Sequence, residues 1–368
     1  MSKSFFVGLG LSIFGFVALN FIAYFLDRSP VYRAPSPDLI SSGRPLAEFQ
    51  FARPNSDSHS IKFNHMGFRD KERKKEAKPG VFRLAVLGDS MVEAKEVSES
   101  ETAVRIFEKL MNEHYGRHAK IEVMNFGVGG YGYQQFAKLL SSVVLEFKPD
   151  YILLVSYGND FMDDLRYEAF RENMQGVLGS ILVCSFNKTI YEVFPLYRLV
   201  YLSAFKGVLN RATEQSATAA NYDRLFRCAA EGGELIECSP GTFNALTSIS
   251  KVLKSHSIPW GVISIPLTAE IMPKHLIELK KSEPGWDWNE FVLNSERLES
   301  LRTYFQKELA QREIAYLDLS LRIADIPFPD REKLYLRTDE HFNGNGQAFL
   351  GNEIFDWFVK QYGDGLKR

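Results

Sequence analysis

Apolar runs of strand length recur along the chain, at Phe82–Leu87, Ile121–Asn125, Tyr151–Ser156, Trp260–Pro266 and Ile314–Leu319. Each is apolar nearly throughout rather than alternating, the pattern of parallel strands covered on both faces. Between them apolar side chains return at spacings of three and four, the period of a helix with one buried face. Val104, Phe107, Leu110 and Met111 do so before the second run, and Phe136, Leu139, Leu140 and Val143-Val144 before the third. Phe243 to His256 leads into the fourth, and Leu298, Leu301, Phe305 and Leu309 into the fifth. Phe349, Ile354, Trp357 and Phe358 place a last helix at the end. Right-handed crossovers put helices on both faces of such a sheet. The pattern therefore predicts an α/β fold over residues 81–368, a three-layer α/β/α sandwich on a five-stranded parallel sheet.

A different pattern opens the chain. Phe5 to Leu26 is 22 residues without a formal charge. At about 1.5 Å rise per residue such a helix crosses a bilayer core of about 30 Å. The run exceeds the apolar region of a cleaved signal peptide and leads into Asp27-Arg28-Ser29-Pro30, so residues 1–28 read as a single-pass, uncleaved membrane anchor. Lys3 lies before it and Arg28 and Arg33 after it, so local charge does not choose an orientation. Residues 29–80 hold turn formers and charges with little periodicity and read as a linker or stalk packed on the domain. Within them, Arg69 to Lys78 mixes charges of both signs and reads as solvated.

Two stretches exceed a minimal sandwich. Residues 161 to about 240 form an insertion after the third strand, with an aromatic run from Ile190 to Phe205. Such an insertion lies at the mouth of a site, as a cap, or packs on the core or a membrane surface. The second, Leu267 to about Asn294, holds Trp286 and Trp288, which either anchor their loop or stack on a sugar ring. Cys228 and Cys238 flank a Gly-rich stretch, as a disulfide-closed loop or as two independent thiols. A disulfide would suit a domain outside the cytoplasm, the location expected here. The net charge of −2 gives no global field for nucleic acid. The three cysteines match no zinc spacing, and no metal or organic cofactor is called for.

The chemistry-bearing residues sit at the ends of the predicted strands. Gly88-Asp89-Ser90 follows the first, where an α/β sheet presents a nucleophile at its carboxyl edge. Alone this triplet is an ordinary turn. The second strand ends in Asn125-Phe-Gly-Val-Gly-Gly-Tyr-Gly132, a turn whose backbone N–H groups can closely approach a ligand. The third ends in Tyr157-Gly-Asn-Asp160, which sets the Asn159 carboxamide at the same edge. Asp339-Glu340-His341 precedes the last helix, with Asp339 and His341 on one side of an extended segment. Acyl transfer through serine needs a nucleophile, a base, a group orienting the base, and donors for the tetrahedral oxyanion. Ser90, His341 and Asp339 would fill the first three roles, and the Ser90 N–H could serve among the last.

This ordered set resembles the SGNH (GDSL-type) hydrolase superfamily, over about residues 81–165 and 243–360. The resemblance implies a flavodoxin-like sandwich, Ser90 as nucleophile, and an oxyanion hole of Ser90, Gly130 and Asn159. Many members have Asp-x-x-His where this chain has Asp339-Glu340-His341. The shorter spacing resembles membrane-anchored and periplasmic members that handle acetyl groups on bacterial exopolysaccharides. The expected function is a membrane-anchored serine esterase acting on O-acyl, chiefly O-acetyl, esters of envelope or secreted carbohydrate. Two alternatives use the same fold. One is an O-acetyltransferase with the same Ser-His-Asp residues, fed by a membrane acyl-donor partner. The other is a non-catalytic envelope scaffold.

Overall fold

The computed structural model describes residues 12, 14–23, 33–36, 39–52, 58–116, 120–174, 237, 239–272, 295–337 and 340–363. Two antiparallel hairpins come first. β1 (Arg33–Ser36) pairs with β2 (Ile40–Gly43), and β3 (Glu48–Phe51) pairs with β4 (His59–Lys62). Phe49, Ile61 and Phe63 form a small core under the second hairpin.

The main sheet follows, with β5 (Val81–Gly88), β6 (Lys120–Gly127), β7 (Tyr151–Tyr157), β8 (Trp260–Ile265) and β9 (Ala315–Asp318). All pairings are parallel and the order is β6-β5-β7-β8-β9. This is the five-stranded parallel α/β sheet that the apolar runs predict. Counted within the sheet the order is 2-1-3-4-5, the flavodoxin-like arrangement, whose ligands bind where the winding reverses beside the first strand. The central residues of β5 and β7 are apolar for the expected reason. Leu84, Ala85, Val86 and Leu87, and likewise Ile152 to Val155, are fully buried.

Helices α1 (Ser90–Glu93), α2 (Ala103–Tyr115), α3 (Tyr133–Ser142), α4 (Asp160–Met174), α5 (Pro240–Ser255), α6 (Thr268–Ile271), α7 (Ser295–Gln311), α8 (Ser320–Ala324) and α9 (Gly344–Tyr362) complete the described fold. On one face α2 meets α9 through Phe107 and Phe358, whose ring centroids are 5.8 Å apart. On the other, Phe305 of α7 meets Tyr133 of α3 at 5.5 Å and Phe243 of α5 at 6.4 Å. Tilted and edge-on ring contacts at these distances add to the burial that holds the layers together.

The stretch from Arg69 to Lys78 departs from the reading given above. Its second half is exposed, but Arg69 and Asp70 are buried and Arg73 is largely covered. Asp70 takes Arg73 Nε at 3.0 Å and Arg105 Nη2 at 2.9 Å, and accepts the Asn125 N–H at 3.2 Å. Glu108 pairs with Lys71 at 2.9 Å and Arg73 at 3.0 Å. Opposite charges and backbone donors satisfy one another, which lets a charge run enter the interior.

Among the described residues no helix is long and apolar enough to cross a membrane. Residues 14–23 are helical, and Phe14, Phe16, Val17, Leu19, Phe21 and Ile22 are exposed on them. Most of the remaining 5–26 segment lies outside the described residues, as do 175–236 of the insertion, Cys228, Cys238, Trp286, Trp288 and Asp339.

Candidate active site

The nucleophile turn is shaped by glycine. A Cβ on Gly88 would stand 2.3 Å from Val92 Cγ2 and 2.7 Å from the Val155 carbonyl, so a larger residue would push α1 off the sheet. Asp89 then caps α1, accepting the Met91 N–H at 2.8 Å. Ser90 opens the helix half-buried, its hydroxyl 3.2 Å from Asp89 Oδ2 and 2.8 Å from His341 Nε2. Burial pushes the Asp89 carboxyl up to about 6, against the pull of the Met91 N–H, the His341 ring and Ser90.

The segment carrying His341 is held at both ends. The Leu336 N–H donates to the His341 carbonyl at 2.9 Å, and Tyr335 bridges antiparallel to Phe342. Asn343 caps α9, accepting the Asn345 and Gly346 N–H groups, while its amide reaches the Tyr335 carbonyl at 2.7 Å. Buried Gln347 joins this turn to the nucleophile helix. Its Nε2 donates to the Met91 carbonyl at 3.0 Å, and its Oε1 accepts the Ala103 N–H at 2.8 Å. Sequence reading passed over Gln347. It stands in the first turn of a helix that carries other polar residues, so nothing local marks it.

The other two stations leave the neighbours of β5 at the same edge. Gly88 is in register with Gly127 of β6 and with Val155 of β7. Asn125 ties β6 to α1, its Nδ2 donating to the Val92 carbonyl at 3.0 Å. Beyond it, Gly130 has φ +75°, a left-handed conformation that favours glycine. A Cβ on Gly129 would lie 3.2 Å from Ser90 Cβ, so this turn runs directly beside the nucleophile. Glu93, buried at the end of α1, accepts the Gly129 N–H at 2.9 Å and pairs with Arg33 at 2.7 Å and Lys95 at 3.4 Å. Arg33 also donates to the Gly129 carbonyl at 2.6 Å. Burial would raise the Glu93 carboxyl, but Arg33, Lys95 and the Gly129 N–H outweigh it and hold the group below its ordinary value.

Asn159 precedes α4, and its carbonyl accepts the Met162 and Asp163 N–H groups. Its Nδ2 lies 3.3 Å from Asp163 Oδ2. Behind it sits a group of buried carboxyls. Burial pushes Asp163 up to about 7 and Asp164 to about 8, and raises Asp160 well above its usual range with Asp89 and Asp163 adding repulsion.

α1 is also held from behind. Buried Arg69 donates to the carbonyls of Glu93 (3.1 Å), Ala94 and Val97, closing the end of α1 where Ala94 turns left-handed. His65 lies apart from this site, exposed and paired with Glu72. Among the described residues no group of three His, Cys, Asp or Glu side chains could hold a metal ion.

Residues 84–182, which carry Ser90, the glycine turn and Asn159, match the family model described as GDSL-like Lipase/Acylhydrolase. Over this segment the chain is similar to the GDSL-like lipases and acylhydrolases. No curated relative matches it. Similar solved structures include the lipase/acylhydrolase from Enterococcus faecalis, 15% identical, covering 76% of this chain and 96% of that one at a TM-score of 0.38. The acetyl xylan esterase AlAXEase is 12% identical, with 75% and 98% covered and a TM-score of 0.40. The esterase EstA from Pseudoalteromonas sp. is 12% identical, with 76% and 98% covered and a TM-score of 0.40. Likeness at this level says nothing about substrate.

Proposed function

We propose that the protein is a serine esterase working through an acyl-enzyme, on O-acetyl esters of envelope or secreted carbohydrate. The observation that carries the reading is the 2.8 Å contact between Ser90 Oγ and His341 Nε2, made by residues 251 positions apart. A nucleophile within hydrogen-bond reach of its base is the geometric requirement for the first step. In that step His341 takes the Ser90 proton as the oxygen attacks the ester carbonyl. The tetrahedral oxyanion forms against the Ser90 and Gly130 N–H groups and the Asn159 amide. Collapse expels the alcohol, which leaves with the proton from His341. Water, deprotonated by the same ring, then attacks the acyl-serine and releases the acid. Asp339 would orient the imidazole in this scheme.

The carbohydrate part of the proposal rests on the Asp339-Glu340-His341 spacing and its resemblance to members acting on exopolysaccharide acetyl groups. Membrane attachment rests on the uncharged run Phe5 to Leu26, whose helical part exposes its large apolar side chains. In this arrangement the domain faces the extracytoplasmic side.

A fluorophosphonate probe tests the chemistry directly. The purified full-length protein should label with one phosphonate, and Ser90→Ala should take none. Acetate release from an acetylated polysaccharide, without added acceptor, tests the substrate and the hydrolytic outcome. Equal labelling of wild type and Ser90→Ala would refute the assignment.

A further inference from the structure

We infer that Arg33 and Glu93 are a positioning pair that sets the direction of the Gly130 N–H, so that the segment before the domain takes part in building the oxyanion site. The inference rests on the serine-esterase reading for its consequence, but its geometry stands independently.

The pair grips both polar groups of one residue. Glu93 Oε2 accepts the Gly129 N–H at 2.9 Å, and Arg33 Nη1 donates to the Gly129 carbonyl at 2.6 Å. The circuit closes where Arg33 Nη2 meets Glu93 Oε2 at 2.7 Å. A trans peptide unit is planar, with its C=O and the following N–H pointing in opposite directions. Holding the Gly129 carbonyl on Arg33 therefore also aims the Gly130 N–H away from Arg33. The two glycines have no side chains to hold them, and Gly130 sits at φ +75°. A glycine pair has the largest backbone freedom to lose, so outside contacts must set its conformation. The carboxylate comes from the last residue of the nucleophile helix, and the guanidinium comes from β1. Nucleophile, oxyanion turn and N-terminal hairpin thus share one ion pair. A second contact fastens the same hairpin, since Gln135 Nε2 donates to the Leu39 carbonyl at 2.8 Å while its Oε1 accepts the Gly132 N–H at 3.1 Å.

The pair holds no substrate in this view; it acts through the turn. Displacing a transition-state donor by about 1 Å can cost on the order of 100-fold in rate. The expected result for Arg33→Gln in the full chain is a 10- to 100-fold fall in kcat on p-nitrophenyl acetate, with KM within about twofold of wild type. Arg33→Lys should recover part of the loss, because an ammonium can meet Glu93 but lacks the fork that also reaches Gly129. The double variant Arg33→Gln/Glu93→Gln should be no slower than the worse single variant, since the two residues act as one unit. Amide hydrogen exchange at Gly129 and Gly130 should quicken in Arg33→Gln while the strands of the sheet stay protected. Unchanged kcat in Arg33→Gln, losses that multiply in the double variant, or unchanged exchange at the turn would overturn the inference. Should wild type itself neither turn over ester nor take a phosphonate label, the esterase reading fails, and the exchange arm alone decides the pair.

Discussion

The carboxyl edge of the sheet and the segment from Arg33 to Arg73 contribute to the same site in opposite ways. Ser90, the Gly129-Gly130 turn and Asn159 stand just past strands β5, β6 and β7, so sheet pairing alone brings them to one edge. Arg33, Arg69 and Asp70 come from a region without strong periodicity, and reach the site through guanidinium and carboxyl contacts. The first region carries the groups that would react. The second clamps the short helix and the glycine turn between them. Reactive groups need particular chemistry at particular strand ends, whereas a clamp needs only a long polar side chain with the right reach. Substitutions in the two regions should therefore fail differently, the first in rate and the second in stability or geometry.

The sharpest break comes at the base. His341→Ala should lower kcat on p-nitrophenyl acetate by roughly 10⁴- to 10⁶-fold, as loss of a member of a coupled nucleophile–base unit does, with little change in melting temperature. Retention of most activity would remove the first region's claim to the chemistry. Asn159→Ala should cost about 10²- to 10³-fold in kcat, the usual consequence of deleting one oxyanion donor. A change confined to KM would assign Asn159 to substrate binding instead.

The second region should answer to denaturant. Arg69→Met leaves the Glu93, Ala94 and Val97 carbonyls without their buried donor, and should cost about 3 kcal/mol of stability in a urea titration. A loss below about 0.5 kcal/mol would place Arg69 with ordinary surface residues. The smallest effect concerns pH. Folding raises Asp164 from its ordinary 3.8 to about 8, chiefly through burial. Between about pH 4 and 8 the unfolded chain releases a proton that the folded protein keeps. This contribution is therefore full below pH 4 and is lost as pH rises towards 8. Asp164→Asn stays neutral, and its amide can still accept the Gln134 N–H and donate to the Thr242 hydroxyl oxygen. The urea midpoint of this variant should fall less between pH 5 and pH 8 than that of wild type. Parallel curves would show that the carboxyl is ionised in the folded state.

Asp70 shows where reading the chain residue by residue reaches its limit. In sequence it belongs to a mixed-charge run that looks solvated, and only Arg73, Arg105 and the Asn125 N–H explain its burial. Gln347 is similar, because its two partners lie near residues 91 and 103. Arg73 is near Asp70 in sequence, but Arg105, Asn125 and both partners of Gln347 lie far along the chain. By contrast, Gly88-Asp89-Ser90 could be placed because a buried strand, a tight turn and a helix cap all leave local traces.

The chain alone determined the five parallel strands, the amphipathic helices and the identity of the edge residues, because periodicity and turn chemistry are short-range properties of the backbone. Tertiary structure alone decided that Arg69 holds the nucleophile helix and that an N-terminal hairpin grips the glycine turn. Those outcomes depend on polar and charged groups meeting across long sequence separations. Whether a charged side chain enters the interior depends on a partner that its neighbours in sequence do not reveal.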